Sequence, residues 1–212
     1  MNPQEAQVKD LIRGLEEGEI TAEQALSSLE ARGLTEKAVL GKAYWVYLIW
    51  IIPCVLPSLR KAWRLEFLVV LERLPRFVFP PVAAYAALGL FLAAIPLTAW
   101  GIYTNKKRGG CKTEDNTVVL LKQGPYAIIR HPSLFAWSIF FITIPIFLSQ
   151  YVAFTVLSVI GIVGIVAFHY YASVKEEREL DIKKWGDAYR DYMKQVPRWN
   201  IVKGLVNLAR RK

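Results

Sequence analysis

Chemically reactive side chains are scarce in this sequence, which has only two cysteines and two histidines in 212 residues. Cys54 lies in an apolar run and Cys111 in a polar loop, so the pair predicts no disulfide framework. The sequence also lacks Cys/His ligand spacing, a P-loop and the glycine-rich dinucleotide fingerprint. These absences disfavour metal catalysis and nucleotide hydrolysis, and we expect no metal site.

The composition is rich in apolar residues, at 54% with a mean hydropathy of +0.26. These values exclude intrinsic disorder and indicate a lipid environment. The net charge is +9, but in a membrane protein basic loops first indicate cytoplasmic loops near anionic lipid. We therefore expect membrane lipid, and not nucleic acid, as the partner of this charge.

Four long runs without Asp, Glu, Lys or Arg follow Lys42 in the sequence. As helices, runs of their lengths reach about 25 to 36 Å, against a hydrocarbon core of about 30 Å. The sequence therefore predicts an all-α integral membrane protein with about four transmembrane helices. The runs are Ala43–Leu59, Phe77–Trp100, Ser133–Ser149 and Tyr151–Val174.

The charges around these runs predict a topology. The last two runs are separated by Gln150, which predicts a tight helical hairpin whose uncharged tip lies on the outer side. Its basic flanks, Gly101–Pro132 and Lys175–Lys212, and the amino terminus are then cytosolic. Arg60–Arg76 conflicts with this topology, because it carries five Lys and Arg and four spans place it outside. This segment fits an interfacial amphipathic helix. Alternatively, the first run is re-entrant and only three runs span the membrane. We favour the topology with four spans.

The amino-terminal segment, Met1–Gly41, is acidic and contains no apolar run, since eight of its side chains are Asp or Glu and four are Lys or Arg. Two helix-forming stretches are separated by Gly18, and Thr21 with Gln24 fits a capping box. We predict a cytosolic helical hairpin over residues 1–41, as a solvated extension or a self-association element. Residues 42–212 are predicted to form the membrane domain.

A first polar motif, Leu120–Phe135, reads LLKQGPYAIIRHPSLF and leads into the third run. Gly124 and the following proline predict a turn, and Pro132 suits the first turn of the next helix. Arg130 and His131 place a cation and a titratable ring at the membrane face. Together with helix-start amide groups they suit an anionic group, although the same pattern fits a snorkelling anchor.

A second polar motif, residues 175–199, reads KEERELDIKKWGDAYRDYMKQVPRW. Dense mixed charge is typical of a solvated helix with ion pairs. Because the predicted hairpin is tight, we nevertheless expect Arg130 and His131 to lie near Glu176 and Glu177. A stripe at helical spacing is predicted to run from the fourth apolar run into this motif. Its members are His169, Ser173, Glu176 or Glu177, and Leu180.

The two motifs carry a family resemblance. GPYAIIRHP and EERELDIKKWGDAYRDY, with Pro197 and Arg198 beyond them, resemble the isoprenylcysteine carboxyl methyltransferase family and its relatives, the phospholipid N-methyltransferases. The resemblance covers about Gly101–Trp199, close to half of the chain, and does not extend to Met1–Lys42. It implies that residues 42–212 form a membrane methyltransferase domain that takes S-adenosyl-L-methionine from the cytosol and a lipophilic or prenylated acceptor from the bilayer.

The resemblance also implies the residues of the site, which is formed by about residues 120–135 and 169–199 and closed by the cytosolic C-terminal segment. A carboxylate suits the sulfonium, ammonium and ribose hydroxyls of the cofactor. Arg130 and Glu177 are the expected catalytic residues, and Arg130 with Lys175 is expected to orient an acceptor carboxylate. The expected cofactor-binding residues are Gln123, Gly124, Tyr126, His131, Pro132 and Glu177.

One position departs from the family, whose members commonly have Tyr where this chain has Leu134. A carboxylate of a lipophilic thioether or lipid is the favoured acceptor, and a phospholipid amine or a small thiol is the alternative. An amine or thiol has to lose a proton, for which His131 and Glu177 are the expected helpers. The alternative outside the enzymes is a membrane scaffold whose acidic hairpin recruits a soluble partner.

Overall fold

The computed structural model describes residues 3–40, 43–63, 69, 71, 73–108 and 117–211. Every named element in these residues is helical, which confirms the all-α part of the predicted fold class. Short 3-10 helices cover Ala43–Val46 and Gly124–Ala127, and a π-helical turn covers Glu177–Asp181. The α-helices are α1 (Pro3–Glu16), α2 (Ala22–Ala31), α3 (Glu36–Leu40), α4 (Tyr47–Trp63), α5 (Pro81–Arg108), α6 (Pro132–Phe147), α7 (Val156–Glu176), α8 (Ile182–Gln195) and α9 (Ile201–Arg210).

The chain divides into two compact units. The first contains residues 1–42, 97–133 and 171–212, and the second contains residues 43–96 and 134–170. The first unit therefore holds the second polar motif and the first motif up to Ser133, together with the amino-terminal helices. The predicted domain boundary at residue 41 stays a prediction.

The core of the first unit is made by the amino-terminal helices and α8. Val8, Ala25 and Leu29 are fully buried and lie in one cluster with Trp185 and Tyr189. Burying a side chain the size of valine or leucine stabilises a fold by about 1.5–3 kcal/mol relative to leaving it in water. Apolar packing thus fixes the acidic hairpin to the carboxyl-terminal segment that carries the second motif.

The connection between α1 and α2 follows the predicted pattern. The Oγ1 of Thr21 accepts a hydrogen bond from the Gln24 amide at 3.3 Å, and the Oε1 of Gln24 accepts one from the Thr21 amide at 2.8 Å. The predicted capping box is confirmed. Gly18 lies between the helices with a φ of +75°, a left-handed conformation that glycine adopts without a steric penalty.

Gly186 marks the place where α1 meets α8. Its φ is +51°, which interrupts the regular geometry of α8. A β-carbon at this position would overlap the carboxylate of Glu5, a residue that is itself buried and lies 3.1 Å from the Nζ of Lys9. Both the backbone conformation and the close approach of α1 therefore require glycine here.

In the second unit, α4 packs against α7 at two glycines. A β-carbon on Gly161 would lie 3.3 Å from the carbonyl oxygens of Ile49 and Trp50, and one on Gly164 would lie 3.0 Å from Cγ2 of Ile49. The Trp50 indole also donates to the carbonyl of Phe141 at 2.9 Å. Small residues let helix backbones approach closely, as they do between helices in membranes.

His169 is fully buried in the second unit, beside Ser138. The Ser138 hydroxyl donates to the Leu134 carbonyl at 2.8 Å, and its Oγ lies 2.9 Å from Nδ1 of His169. The rings of Tyr47 and Phe141 pack against this imidazole, with centroids 6.2 Å and 5.6 Å away.

Two helices, α5 and α7, are long and apolar enough to cross a membrane by length and composition. The apolar helices Tyr47–Ser58 and Pro132–Phe147 are shorter, so the predicted count of four spans stays a prediction. Cys111 lies outside the described residues, and so do residues 64–68, 70 and 72 of the interfacial helix predicted within Arg60–Arg76.

Candidate functional site

The loop before α6 is shaped by a glycine and a short 3-10 helix. Gly124 has a φ of +60°, and a β-carbon on it would lie 3.1 Å from Oγ1 of Thr104 and 3.2 Å from the Trp100 indole nitrogen. Gly124 is the first residue of a short 3-10 helix, which ends at Ala127. α6 then begins at Pro132, which confirms the predicted start of this helix. The loop thereby places the Arg-His pair directly before the first turn of α6.

The second motif opens with the π-helical turn that joins α7 to α8. This turn contains neither glycine nor proline, and its residues Glu177, Leu180 and Asp181 are 1%, 2% and 6% exposed. π-Helical turns are rare and frequently occur at functional sites, because they re-aim side chains that a regular helix would place elsewhere. Here the turn holds two carboxyl groups inside the first unit.

The carboxylate of Glu177 is the centre of the site. Its Oε1 accepts hydrogen bonds from Nε of Arg130 at 2.8 Å, from Nε2 of His131 at 3.1 Å and from Nε of Arg198 at 3.1 Å. Its Oε2 accepts from Nη2 of Arg198 at 2.5 Å. The predicted approach of the Arg-His pair to the acidic motif is confirmed, although the chain between them is long.

The loop is also tied to the end of α8 by main-chain groups. Nη1 of Arg130 donates to the carbonyls of Met193 at 3.2 Å and Val196 at 2.5 Å. The Arg130 amide donates to the carbonyl of Pro197 at 3.1 Å, and the Tyr192 hydroxyl donates to the carbonyl of Tyr126 at 2.6 Å. These bonds join the two motifs into one structural element.

Charges around Glu177 and His131 fix their protonation states. Burial alone would raise the pKa of Glu177, but hydrogen bonds from His131, Arg198 and Arg130 hold that pKa well below its usual range. Burial opposes a charged imidazole, but hydrogen bonds to Glu176 and Glu177 and their charges raise the pKa of His131 to about 10. At neutral pH the carboxylate is therefore ionised and the ring protonated. Neither group is then a ready acceptor for a proton.

Asp181 has the opposite environment. Burial and the charge of Glu176 raise the pKa of Asp181 to about 7, although the charges of His131 and Lys184 oppose the shift. The Tyr189 hydroxyl forms a hydrogen bond with the same carboxyl group. Asp181 is therefore the carboxyl group of the cluster that changes its proton occupancy near neutral pH.

The remaining predicted residues differ in their burial. Tyr126 and Gly124 are half-buried in the loop, Pro132 is buried at the start of α6, and Gln123 is exposed. Lys175 is half-buried near the end of α7 and forms no ion pair among the residues that the structure describes. The assignment of these residues to cofactor and acceptor stays a prediction.

Several residues of the cluster were given no role by the sequence. Asp181 had a signal, since His169, Ser173, Glu177 and Asp181 recur at steps of four and steps of four fall on one helix face. Arg198 was quoted only among the residues of the family resemblance, without a role, because it follows α8 and its position depends on how the chain turns after Val196.

The cluster combines buried carboxylates with three cations. Arg130, His131 and Arg198 bring three cations to the carboxylates of Glu176 and Glu177, so positive charge is in excess among these five side chains. Among the described residues, no group of three or more His, Cys, Asp and Glu side chains is arranged to hold a metal ion. No family model, curated protein or solved structure matches this chain.

Proposed function

We propose that the chain is an integral membrane methyltransferase that uses S-adenosyl-L-methionine to methylate a carboxylate of a lipophilic or prenylated acceptor. The observation that carries the proposal is the meeting of Arg130 and His131 with Glu177. These residues come from the two motifs that resemble the isoprenylcysteine carboxyl methyltransferase family. They meet through hydrogen bonds of 2.8 Å and 3.1 Å to one carboxylate oxygen.

The residues present fit the amino-acid end of this cofactor. Glu177 is enclosed, but the side chains of Glu176 and Arg198 beside it are 21% and 22% exposed. A ligand can therefore reach one carboxylate and one guanidinium, which match the ammonium and the carboxylate of S-adenosyl-L-methionine. In the proposal, Glu177 holds His131 and Arg198 in place, while Gln123, Gly124 and Tyr126 from the loop contact the rest of the cofactor.

The acceptor needs orientation more than acid–base help. When bound, the cofactor supplies a methyl group on a sulfonium, which passes to an acceptor carboxylate oxygen as its bond to sulfur breaks, leaving a neutral ester and a thioether. Lys175 orients the carboxylate in this proposal. Arg130 contacts the acceptor carboxylate only when its hydrogen bonds to Glu177, Met193 and Val196 are broken. Alignment in a closed site contributes most of the rate enhancement for such a transfer.

A second acceptor class has one observation in its favour. A phospholipid amine or a thiol must lose a proton before or during attack. Asp181 is buried beside Glu176, and its pKa is raised to about 7, in the range that suits a proton acceptor. Methylation of an amine or thiol with Asp181 as base is therefore the alternative function.

The membrane topology is part of the proposal. Only 11% of the most apolar window of α5 is buried within the protein, and Val82, Tyr85 and Leu90 are more than half exposed. A core helix of a soluble protein hides such a surface. We assign four spans, with α4 and α6 as the shorter two, and place the amino terminus, the polar cluster and the carboxyl-terminal segment on the cytosolic side.

The test is binding of labelled S-adenosyl-L-methionine to the detergent-purified, folded protein, followed by an acceptor screen over pH. A prenylcysteine analogue should be methylated at a rate that is flat above the carboxylate pKa, whereas an amine or thiol should react faster as it deprotonates. If the folded chain binds no cofactor, the proposal fails. A scaffold role would then be favoured if deletion of residues 1–41 abolished function while Arg130 and Glu177 variants kept it.

A further inference from the structure

Helix α9 carries an exposed apolar stripe. Val202, Leu205 and Val206 are 73%, 48% and 44% exposed, and Ala209 continues the same line of exposed positions. Positions at i, i+3, i+4 and i+7 share one face of a helix. Nothing in the methyl-transfer proposal uses this face.

The orientation of α9 is fixed by its other side. Asn200 caps the helix by accepting from the Lys203 amide at 2.9 Å, and Gly204 lies so close to the Ile128 carbonyl that a β-carbon would overlap it. Asn207 donates to the Gln195 carbonyl at 2.8 Å. Because these contacts hold the opposite face, the stripe points away from the first unit and is not free to turn inward.

The charge around the stripe is of one sign. The last acidic residue of the sequence is Asp191, and five Lys and Arg follow Gln195. Lys203 and Arg210 are exposed on α9 and are seven positions apart, which is nearly two helical turns. Both therefore lie along one edge of the stripe, beside Val206.

We infer that α9 docks on an anionic lipid surface, with Val202, Leu205 and Val206 in the boundary between headgroups and acyl chains. Lys203 and Arg210 then lie at the level of the lipid phosphates. An apolar face bordered by Lys and Arg is the pattern that lies in a membrane interface. A second copy of the chain fits less well, since a symmetric contact through the stripe brings the same cations together.

The experiment uses the full chain in lipid nanodiscs, in a background whose two cysteines are replaced and whose Tm equals that of wild type. A fluorophore is attached at Leu205→Cys, and the matched control is Asp187→Cys on α8, a position that is 87% exposed. Brominated lipid should quench the probe at residue 205 and leave the control unquenched. If brominated lipid quenches neither probe, the inference is overturned. It is also overturned if the probe at residue 205 is quenched by a second labelled copy of the chain, because the stripe then contacts protein.

The anionic part of the inference has its own arm. Discs with and without phosphatidylserine are compared for the wild type and for the variants Lys203→Gln and Arg210→Gln. Each neutralised cation should lower the docked fraction relative to the undocked fraction about five-fold in phosphatidylserine discs, with little change in neutral discs. A loss that is the same in both lipids overturns the choice of anionic lipid.

A measurement on the unmodified chain makes the result independent of labelling. Trypsin cleaves after Lys203 and Arg210, so cleavage at these bonds should slow in phosphatidylserine discs relative to neutral discs. Cleavage after Lys194, an exposed residue of α8, serves as the reference. Equal rates at residues 203 and 210 in both lipids contradict the inference. Cofactor binding takes no part in this readout, so failure of the methyltransferase proposal is a separate result.

Discussion

Arg198 binds Glu177 at two points, from Nη2 to Oε2 at 2.5 Å and from Nε to Oε1 at 3.1 Å. This two-point contact uses the planar fork of the guanidinium, which lysine lacks. The Glu177 end is 1% exposed and the Arg198 end is 22% exposed. The pair thus leads from the enclosed centre of the cluster to its accessible side.

We predict that Arg198→Lys lowers the affinity for S-adenosyl-L-methionine by about tenfold, because one charge-assisted hydrogen bond is lost while the charge is kept. The measurement is the Kd of the labelled cofactor with purified protein. Arg190→Lys is the control, since the Arg190 contact with Asp187 is exposed, and its affinity should equal that of wild type. Equal affinities for wild type and Arg198→Lys would contradict the assignment.

Glu177→Gln is predicted to destabilise the fold as well as the site. The amide leaves Arg130 and Arg198 without their carboxylate, and removing one partner of a buried ion pair costs about 3–5 kcal/mol. For a chain of this size we expect the Tm in detergent to fall by about 10 °C. Asp191→Asn, which breaks an exposed pair with Lys194, should leave the Tm unchanged. A Glu177→Gln variant as stable as wild type would show that the three cations do not depend on this carboxylate.

Features set by neighbouring residues were predictable from the sequence, whereas contacts that depend on how distant segments fold together were not. The sequence predicted the capping box, the start of α6 and the approach of Arg130 and His131 to Glu176 and Glu177, because local spacing and the tight hairpin carry them. Arg198 was missed, since its place at Glu177 depends on the turn after α8. The burial of Val8 against α8 was also missed, because this contact joins distant parts of the chain; the amino-terminal hairpin was predicted as a solvated extension or a self-association element.

The sequence predicted where the apolar helices lie better than it predicted which of them cross the membrane. A long stretch without charged side chains indicates a helix of a certain length, and helices occur at all four runs. α6 is 16 residues long and the apolar part of α4 is Tyr47–Ser58, so both are shorter than the usual lower limit of about 17 residues for crossing a bilayer. Composition alone does not separate a short span from an apolar helix packed on its neighbours.

Asp181→Asn is predicted to change how stability depends on pH. The pKa of Asp181 rises on folding from 3.8 to about 7, so the folded state binds an extra proton between these values. Asp181 therefore opposes unfolding most below about pH 4, and this contribution is lost as the pH rises through 7. The variant should gain Tm relative to wild type as the pH increases from 4 to 8. A Tm difference that is constant over this range would contradict the shift.

Gly186→Ala is predicted to cost more than Gly33→Ala. Both glycines have a positive φ, so alanine introduces backbone strain of about 1–2 kcal/mol at each. Only at Gly186 does the new β-carbon overlap another side chain, that of Glu5, whereas the space beside Gly33 is open. Overpacking adds about 1–3 kcal/mol. Thermal unfolding of both variants measures the difference, and adding Glu5→Ala to Gly186→Ala should recover the overpacking part. Equal losses at the two glycines would contradict the close packing of α1 on α8.

Lys175→Gln is predicted to separate acceptor binding from cofactor binding. Lys175 is half-buried and forms no ion pair within the described part of the chain, so its charge is available to an acceptor carboxylate. Loss of a hydrogen bond to a charged group corresponds to about a tenfold rise in KM for a carboxylate acceptor, with an unchanged Kd for the cofactor. Lys183→Gln, at an exposed position of α8, is the matched control and should keep the wild-type KM. If both variants raise KM equally, the effect is one of general surface charge, and the acceptor carboxylate lies elsewhere. Should the acceptor be an amine, Lys175→Gln is expected to lower KM, because a like charge is then removed from its path.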